Sequence, residues 1–145
     1  MNGAPKMSEA MAELVAAAET APAYREFGAR VTALGGGRAQ LVVRREDVRL
    51  RGVRDSLNGG VVASLAAAAA RLCLRADLTG GQHAGRMSEL DIAYLSSARG
   101  STTSFDAVML RKGGRVAVCE VEARDGDDGT LNAKARVSID IIPAT

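Results

Sequence analysis

From Asn58 to Arg75 the chain reads Asn-Gly-Gly and then a run from Val61 to Leu74 that is apolar nearly all round any helix it could form. Five consecutive alanines, Ala66 to Ala70, make that helix the natural state, because alanine gives up no side-chain entropy on coiling. A helix without a polar face has to be enclosed on most sides, and its small side chains let other backbone come close. The segment 59–75 is therefore expected to be a central helix, with the rest of the chain built round it.

The remaining elements are of two kinds. Met7, Met11, Leu14, Val15 and Ala18 recur at helical spacing and predict an amphipathic helix over 7–21, ended by Pro22, behind a disordered lead at 1–6. From Phe27 the pattern becomes extended. Ala29, Val31 and Ala33 alternate, Gly35-Gly36-Gly37 turns the chain, and Gln40 to Arg44 returns, which is a hairpin. Residues 45–57 read as an irregular charged connector. After the central helix and a glycine-rich turn at 80–85, four extended runs follow. Ser88, Leu90, Ile92 and Tyr94 alternate against Glu89, Asp91 and Ala93; residues 102–111 form a second strand, and Val116 to Cys119 begin a third. The last run alternates from Leu131 to Ile141 with the cleanest period of two in the chain. Helices set apart from consecutive strands indicate a single α+β domain, 7–145, with an antiparallel sheet. A sheet wrapped round one helix leaves edges, and pairing through an edge would cover them, so a homodimer or dimer of dimers is expected.

Composition removes several functions. Phe27, Phe105, Tyr24 and Tyr94 are the only aromatic residues and there is no Trp, too few rings for a nucleic-acid stacking platform. A single histidine, His83, cannot build a His-Cys metal site, so no metal is expected. Cys73 and Cys119 lie in apolar runs, which suits two buried thiols better than a disulfide. With a net charge of +2 and no long uninterrupted apolar stretch, no membrane span and a cytoplasmic location are expected.

The run Leu57-Asn58-Gly59-Gly60-Val61-Val62-Ala63-Ser64-Leu65 resembles the motif of hot-dog thioesterases of the phenylacetyl-CoA and 4-hydroxybenzoyl-CoA type, normally His-Gly-Gly before a small-residue helix. Ser88 to Leu95 resembles that family's third strand, Ala98-Arg99-Gly100 the turn after it, and Gly129 to Ala133 the start of the last strand. The resemblance implies a hot-dog fold, a long central apolar helix wrapped by a curved antiparallel sheet. It also implies an acyl-CoA thioester as substrate or ligand, with no other cofactor. In such a family the helix start, where backbone N–H groups and a partial positive charge are unpaired, polarises the thioester carbonyl. Gly59 and Gly60 would supply those donors; the plain alternative is a loop-to-helix turn capped by Asn58 or Ser56.

The family's polar positions are substituted. Its histidine falls on Asn58, its carboxylate nine residues on falls on Ala67, its Ser or Thr on the third strand falls on Met87, and the Asn and Gly before the motif fall on Gly52 and Asp55. Three readings follow: a thioesterase whose carboxylate has moved to Asp55 or Glu89, a pocket kept for binding acyl-CoA or another hydrophobic ligand without catalysis, and an interaction module. The candidate site is Asn58, Gly60, Asp55 and Glu89 for chemistry, with Gly59, Val61, Ser64, Met87 and Ser88 lining the pocket. Arg99, Arg111 and Arg115, with Lys112, are placed near strand ends and turns where they could meet the CoA phosphates; Arg71 and Arg75 are expected to mark where the helix emerges, the alternative for Arg71 being a dimer interface where it pairs with Glu89 or Asp91. The site itself is expected at a dimer interface, where the Asn58-Gly59-Gly60 helix start meets the partner's third strand.

Overall fold

The period of two in the strands is realised as one six-stranded antiparallel sheet in a computed structural model that describes residues 8–145. Its strands are β1 (Arg30–Gly35), β2 (Arg38–Arg44), β3 (His83–Tyr94), β4 (Thr102–Lys112), β5 (Val116–Asp125) and β6 (Leu131–Ile142), in the order β1-β2-β4-β5-β6-β3. Along β2, β4, β5 and β6 alternate residues are buried on one face: Leu41 and Val43, Phe105 and Ala107, Cys119 and Val121, Val137 and Ile139. Against that face lies the central helix (Gly59–Asp77), here α3, burying Val61, Val62, Leu65, Ala66, Ala69, Ala70, Leu72, Cys73 and Leu74. This is the α+β architecture the alternation predicts. Enclosure is less complete than an all-apolar helix suggests, because Ser64 is exposed and Ala67, Ala68 and Arg71 are only half-buried, leaving one open stripe.

The N-terminal segment corrects the expectation of one helix over 7–21. Helix α1 (Glu9–Thr20) is capped by Ser8, whose hydroxyl accepts from the Met11 amide at 3.2 Å. Pro22 does not merely end it. With no N–H to leave unpaired, proline suits a first helical position, and it opens a second helix, α2 (Pro22–Phe27), closed by Gly28 in the left-handed region at φ +66°. The lead at 1–6 and the expected first helical residue, 7, fall outside the described residues.

β3 begins earlier than its alternation announces, at His83 instead of Ser88, because two bulges interrupt its pairing with β6, one between Ala84 and Met87 and one between Met87 and Glu89. Each bulge adds a residue and shifts the alternation. Cys73 and Cys119, far apart in the chain, are both fully buried free thiols between α3 and β5. A hydrogen bond with Cys73, and burial, push the Cys119 thiol far up, which leaves it inert. By length and composition alone α3 is apolar enough to cross a membrane, with a mean hydropathy of 1.4 in its 18-residue window, but half of that window is buried inside the domain, as in the core helix of a folded domain.

Candidate active site

The helix start is built by local hydrogen bonds. Asn58 is the N-cap of α3, and its side-chain oxygen accepts from the Gly60 amide at 2.8 Å. The Gly60 N–H is therefore engaged, and of the two donors the sequence nominates, Gly59 is the one Asn58 leaves free. Tyr94, the last residue of β3, lies across it: a Cβ on Gly59 would stand 3.5 Å from the Tyr94 ring, and the Tyr94 hydroxyl donates to the Gly59 carbonyl at 2.6 Å. The helix start opens into a cleft of about 540 Å³ lined by Gly52, Ser56, Asn58, Gly59, Val62, Tyr94 and Asn132, among others. Asn132 is 2% exposed; its side-chain amide donates to the Ser96 hydroxyl and the Ser97 carbonyl, while its oxygen has no partner among the described residues. At Gly52, where the resemblance expects a polar side chain, a Cβ would lie 2.8 Å from both the Leu57 carbonyl oxygen and the Ser56 hydroxyl, so none fits.

A second cavity, of about 290 Å³, lies further along α3 beneath α1 and α2. Ala18, Ala21, Ala23 and Tyr24 line one side, Ser64, Ala67, Ala68, Arg71 and Arg75 the helix side, and Met87 and Ile139 the sheet side. The nominated residues thus divide between two places. Asn58 and Gly59 face the first cleft; Ser64 and Met87 face the second, together with Ala67. Eight helical residues separate Gly59 from Ala67, about 12 Å at 1.5 Å each. Val61 faces neither: it is buried in the core at 2% exposure, and its neighbour Val62 lines the cleft instead.

Neither nominated carboxylate reaches either cavity. Asp55 follows Arg54 in the left-handed region (φ +57° and +56°), a strained arrangement for two non-glycine residues. Its carboxylate is paired with Arg45 and with Arg51, the latter at 3.6 Å, and its carbonyl accepts from Arg45 at 2.9 Å. Glu89 pairs with Ser138 and lies on the outer face of the sheet, since Leu90 and Ile92, opposite the buried Val137 and Ala135, are the residues that turn toward α3. Strict alternation already set Glu89 with Asp91 and against Leu90, a signal the sequence carried. Ser88 is the bulge residue, its hydroxyl 3.3 Å from the Ser138 carbonyl.

The basic residues do not form one phosphate surface either. Arg99 sits in the loop beside the helix start, whereas Lys112, next to Arg111 and near Arg115, is bonded at the other end of α3 to the Asp77 carbonyl at 2.6 Å. About 27 Å of helix separates the two ends. Arg71 reaches the β3 bulge, donating to the Gly85 carbonyl at 2.8 Å and not to Glu89 or Asp91. The described residues contain no group of three or more His, Cys, Asp and Glu that could hold a metal. Sequence reasoning missed the Tyr94 cover, the orphaned Asn132 oxygen and the contribution of α1 and α2 to the second cavity.

The sheet curled on one long helix is the hot-dog fold, and solved structures share it. A thioesterase from Haemophilus influenzae aligns with a TM-score of 0.82 at 19% identity over 94% of this chain and 93% of its own. A thioesterase family protein from Silicibacter pomeroyi aligns at 0.80 and 20% identity over 91% and 98%, and a mutant thioesterase from Pseudomonas aeruginosa at 0.80 and 18% over 98% and 97%. The family model of the thioesterase superfamily matches residues 55–132, from just before α3 to the first turn of β6. This chain belongs to the thioesterase superfamily. No curated protein sequence matches it.

Proposed function

We propose that the protein acts on acyl-CoA thioesters as a homodimer, polarising the thioester carbonyl on the Gly59 N–H without a protein base to activate water. The observation that carries this reading is the Gly59 amide left free by Asn58 at the head of a 19-residue helix opening into the cleft. A helix N-terminus concentrates partial positive charge, which favours an oxygen that becomes negative during reaction. Hydroxide, formed as water loses a proton to solvent, adds to the carbonyl carbon, the negative charge gathers on the oxygen held by Gly59, the C–S bond breaks and CoA leaves as thiolate. The protons of the attacking water pass to solvent, because no carboxylate lines either cavity. A positioned base contributes about 10²–10⁴-fold, so turnover is slow by that margin.

The dimer is part of the reading. β3 is an edge strand carrying exposed Met87 and Tyr94, and an uncovered edge favours pairing with a second copy. A second reading, retention of the cleft for binding alone, is favoured by the same missing carboxylate. The discriminating experiment is release of free CoA from a panel of short, long and aromatic acyl-CoAs, followed with a thiol reagent. Slow release rising about tenfold per pH unit, as hydroxide attack requires, supports hydrolysis. Thermal stabilisation by an acyl-CoA with no release above the protein-free rate supports binding alone. Neither release nor stabilisation refutes both.

A further inference from the structure

The second cavity has positive charge on its wall and no acidic residue there; Glu19, close enough to act on Tyr24, lies outside the lining and is paired with Arg30. Of the residues that line it, Arg71 and Arg75 are cationic and none is acidic. Neither arginine has an acidic partner among the described residues, although nine other ion pairs form there. Arg71 is half-buried, and one of its terminal nitrogens is tied to the Gly85 carbonyl at 2.8 Å. That bond fixes the guanidinium at the wall and leaves its other N–H groups free to donate. Apart from Ser64 and Tyr24 the rest of the wall is apolar, five alanines together with Leu72, Met87 and Ile139. Tyr24 closes the inner side, its phenol pushed up to about 12 by burial, with the Arg75 charge close enough to oppose that shift. Where the family resemblance places a carboxylate, this chain has the neutral Ala67, so the negative charge is gone while Arg71, one turn on, keeps its positive charge.

A mostly apolar cavity with two guanidinium groups on its wall matches an apolar chain ending in a carboxylate. Arginine binds carboxylates through paired N–H donors, and such charge-assisted bonds are about twice as strong as neutral ones. We propose that this cavity receives the acyl group of the thioester and selects acyl chains that end in a carboxylate, with Arg71 and Arg75 as the specificity-determining residues. From Gly59, where the carbonyl is held, to Arg71 is about 18 Å along the helix, a distance that the acyl chain and the Arg71 side chain span together. The inference rests on the acyl-CoA reading for the thioester end and on the arginine pair alone for the carboxylate end.

The test compares the mono-CoA thioester of decanedioic acid with decanoyl-CoA, by calorimetric titration, on the wild-type protein and on Arg71→Met and Arg75→Gln. The expected result is a preference of at least tenfold for the carboxylated thioester. Each variant should reduce that preference, read as the ratio of the two affinities so that any effect common to both thioesters cancels, to twofold or less. The Arg75 side chain is exposed and bonded to no other side chain or backbone group among the described residues, so Arg75→Gln remains informative if Arg71→Met loosens the β3 bulge. Equal affinity for the two thioesters, or a preference that survives both substitutions, overturns the inference while leaving the thioester reading intact. If neither thioester binds, the thioester reading fails, and free decanedioate against 1-decanol then decides the inference. Thermal stabilisation by decanedioate that is lost in both variants upholds the arginine site; no stabilisation overturns it.

Discussion

Replacing Gly59 by alanine should separate the stability of the fold from the function of its helix start. The new methyl group would meet the Tyr94 ring at 3.5 Å, an ordinary contact, and Gly59 does not use a left-handed φ, so nothing in the backbone resists it. Glycine in a helix costs roughly 0.5–1 kcal/mol relative to alanine, and at the first position the lower figure applies. For a chain of this size that raises the midpoint of thermal unfolding by about 2 °C. The same methyl group stands beside the amide proposed to hold the thioester oxygen. A neutral hydrogen bond is worth about 1 kcal/mol net and one to a charged group about 1.5–3 kcal/mol. Acyl-CoA affinity should therefore fall about fivefold, and kcat/KM about 10- to 150-fold, because the bond strengthens as the oxygen becomes an anion. Calorimetric unfolding beside CoA-release kinetics reads both effects. A variant with the expected gain in stability, unchanged affinity and unchanged turnover would refute the assignment of Gly59.

Other expectations follow from the same geometry. Asn58→Ala removes the cap on the Gly60 amide and should lower stability by about 1 kcal/mol, whereas Asn58→Asp, which can still accept that bond, should not; calorimetry of both checks it. Ala67→Asp puts a carboxylate back on the open stripe of α3. One turn before Arg71, it should pair with that guanidinium and reduce the preference for a carboxylated acyl chain to twofold or less; an unchanged preference in calorimetric titration would count against the arginine site. Tyr24 ionises at about 12 in the fold against about 10 when unfolded. Between those values the unfolded chain has lost a proton that the native one keeps, so stability is complete below pH 10 and falls with rising pH up to about 12. Tyr24→Phe should flatten that part of the stability curve.

Much of the fold was written in local pattern. The alanine-rich run specified α3 because little on it is polar enough to compete with burial, and the alternation from Leu131 to Ile141 specified β6 because alternate residues of that strand are buried. β3 was legible only from Ser88 onward, since the bulges between Ala84 and Glu89 break the period by which a strand is recognised. Pro22 was read as a stop because proline both ends and begins helices, and the following residues decide which. The site was less legible. Asp55 and Glu89 were sensible carboxylates by their place in the chain, but the left-handed pair Arg54 and Asp55, and the outward face of β3, send them elsewhere. The second cavity depends on α1 and α2 folding back over α3, a tertiary contact that no local pattern announces.

The central claim, that the Gly59 N–H polarises a thioester carbonyl, is tested most directly by infrared difference spectroscopy of a carbonyl-¹³C-labelled acyl-CoA bound to the protein. Slow turnover leaves time to record the complex. The account predicts a carbonyl stretch moved to lower frequency on binding, with the shift lost in Gly59→Ala and retained in Asn58→Asp. A bound thioester whose carbonyl absorbs where it does in water, or a shift that survives Gly59→Ala, would contradict it.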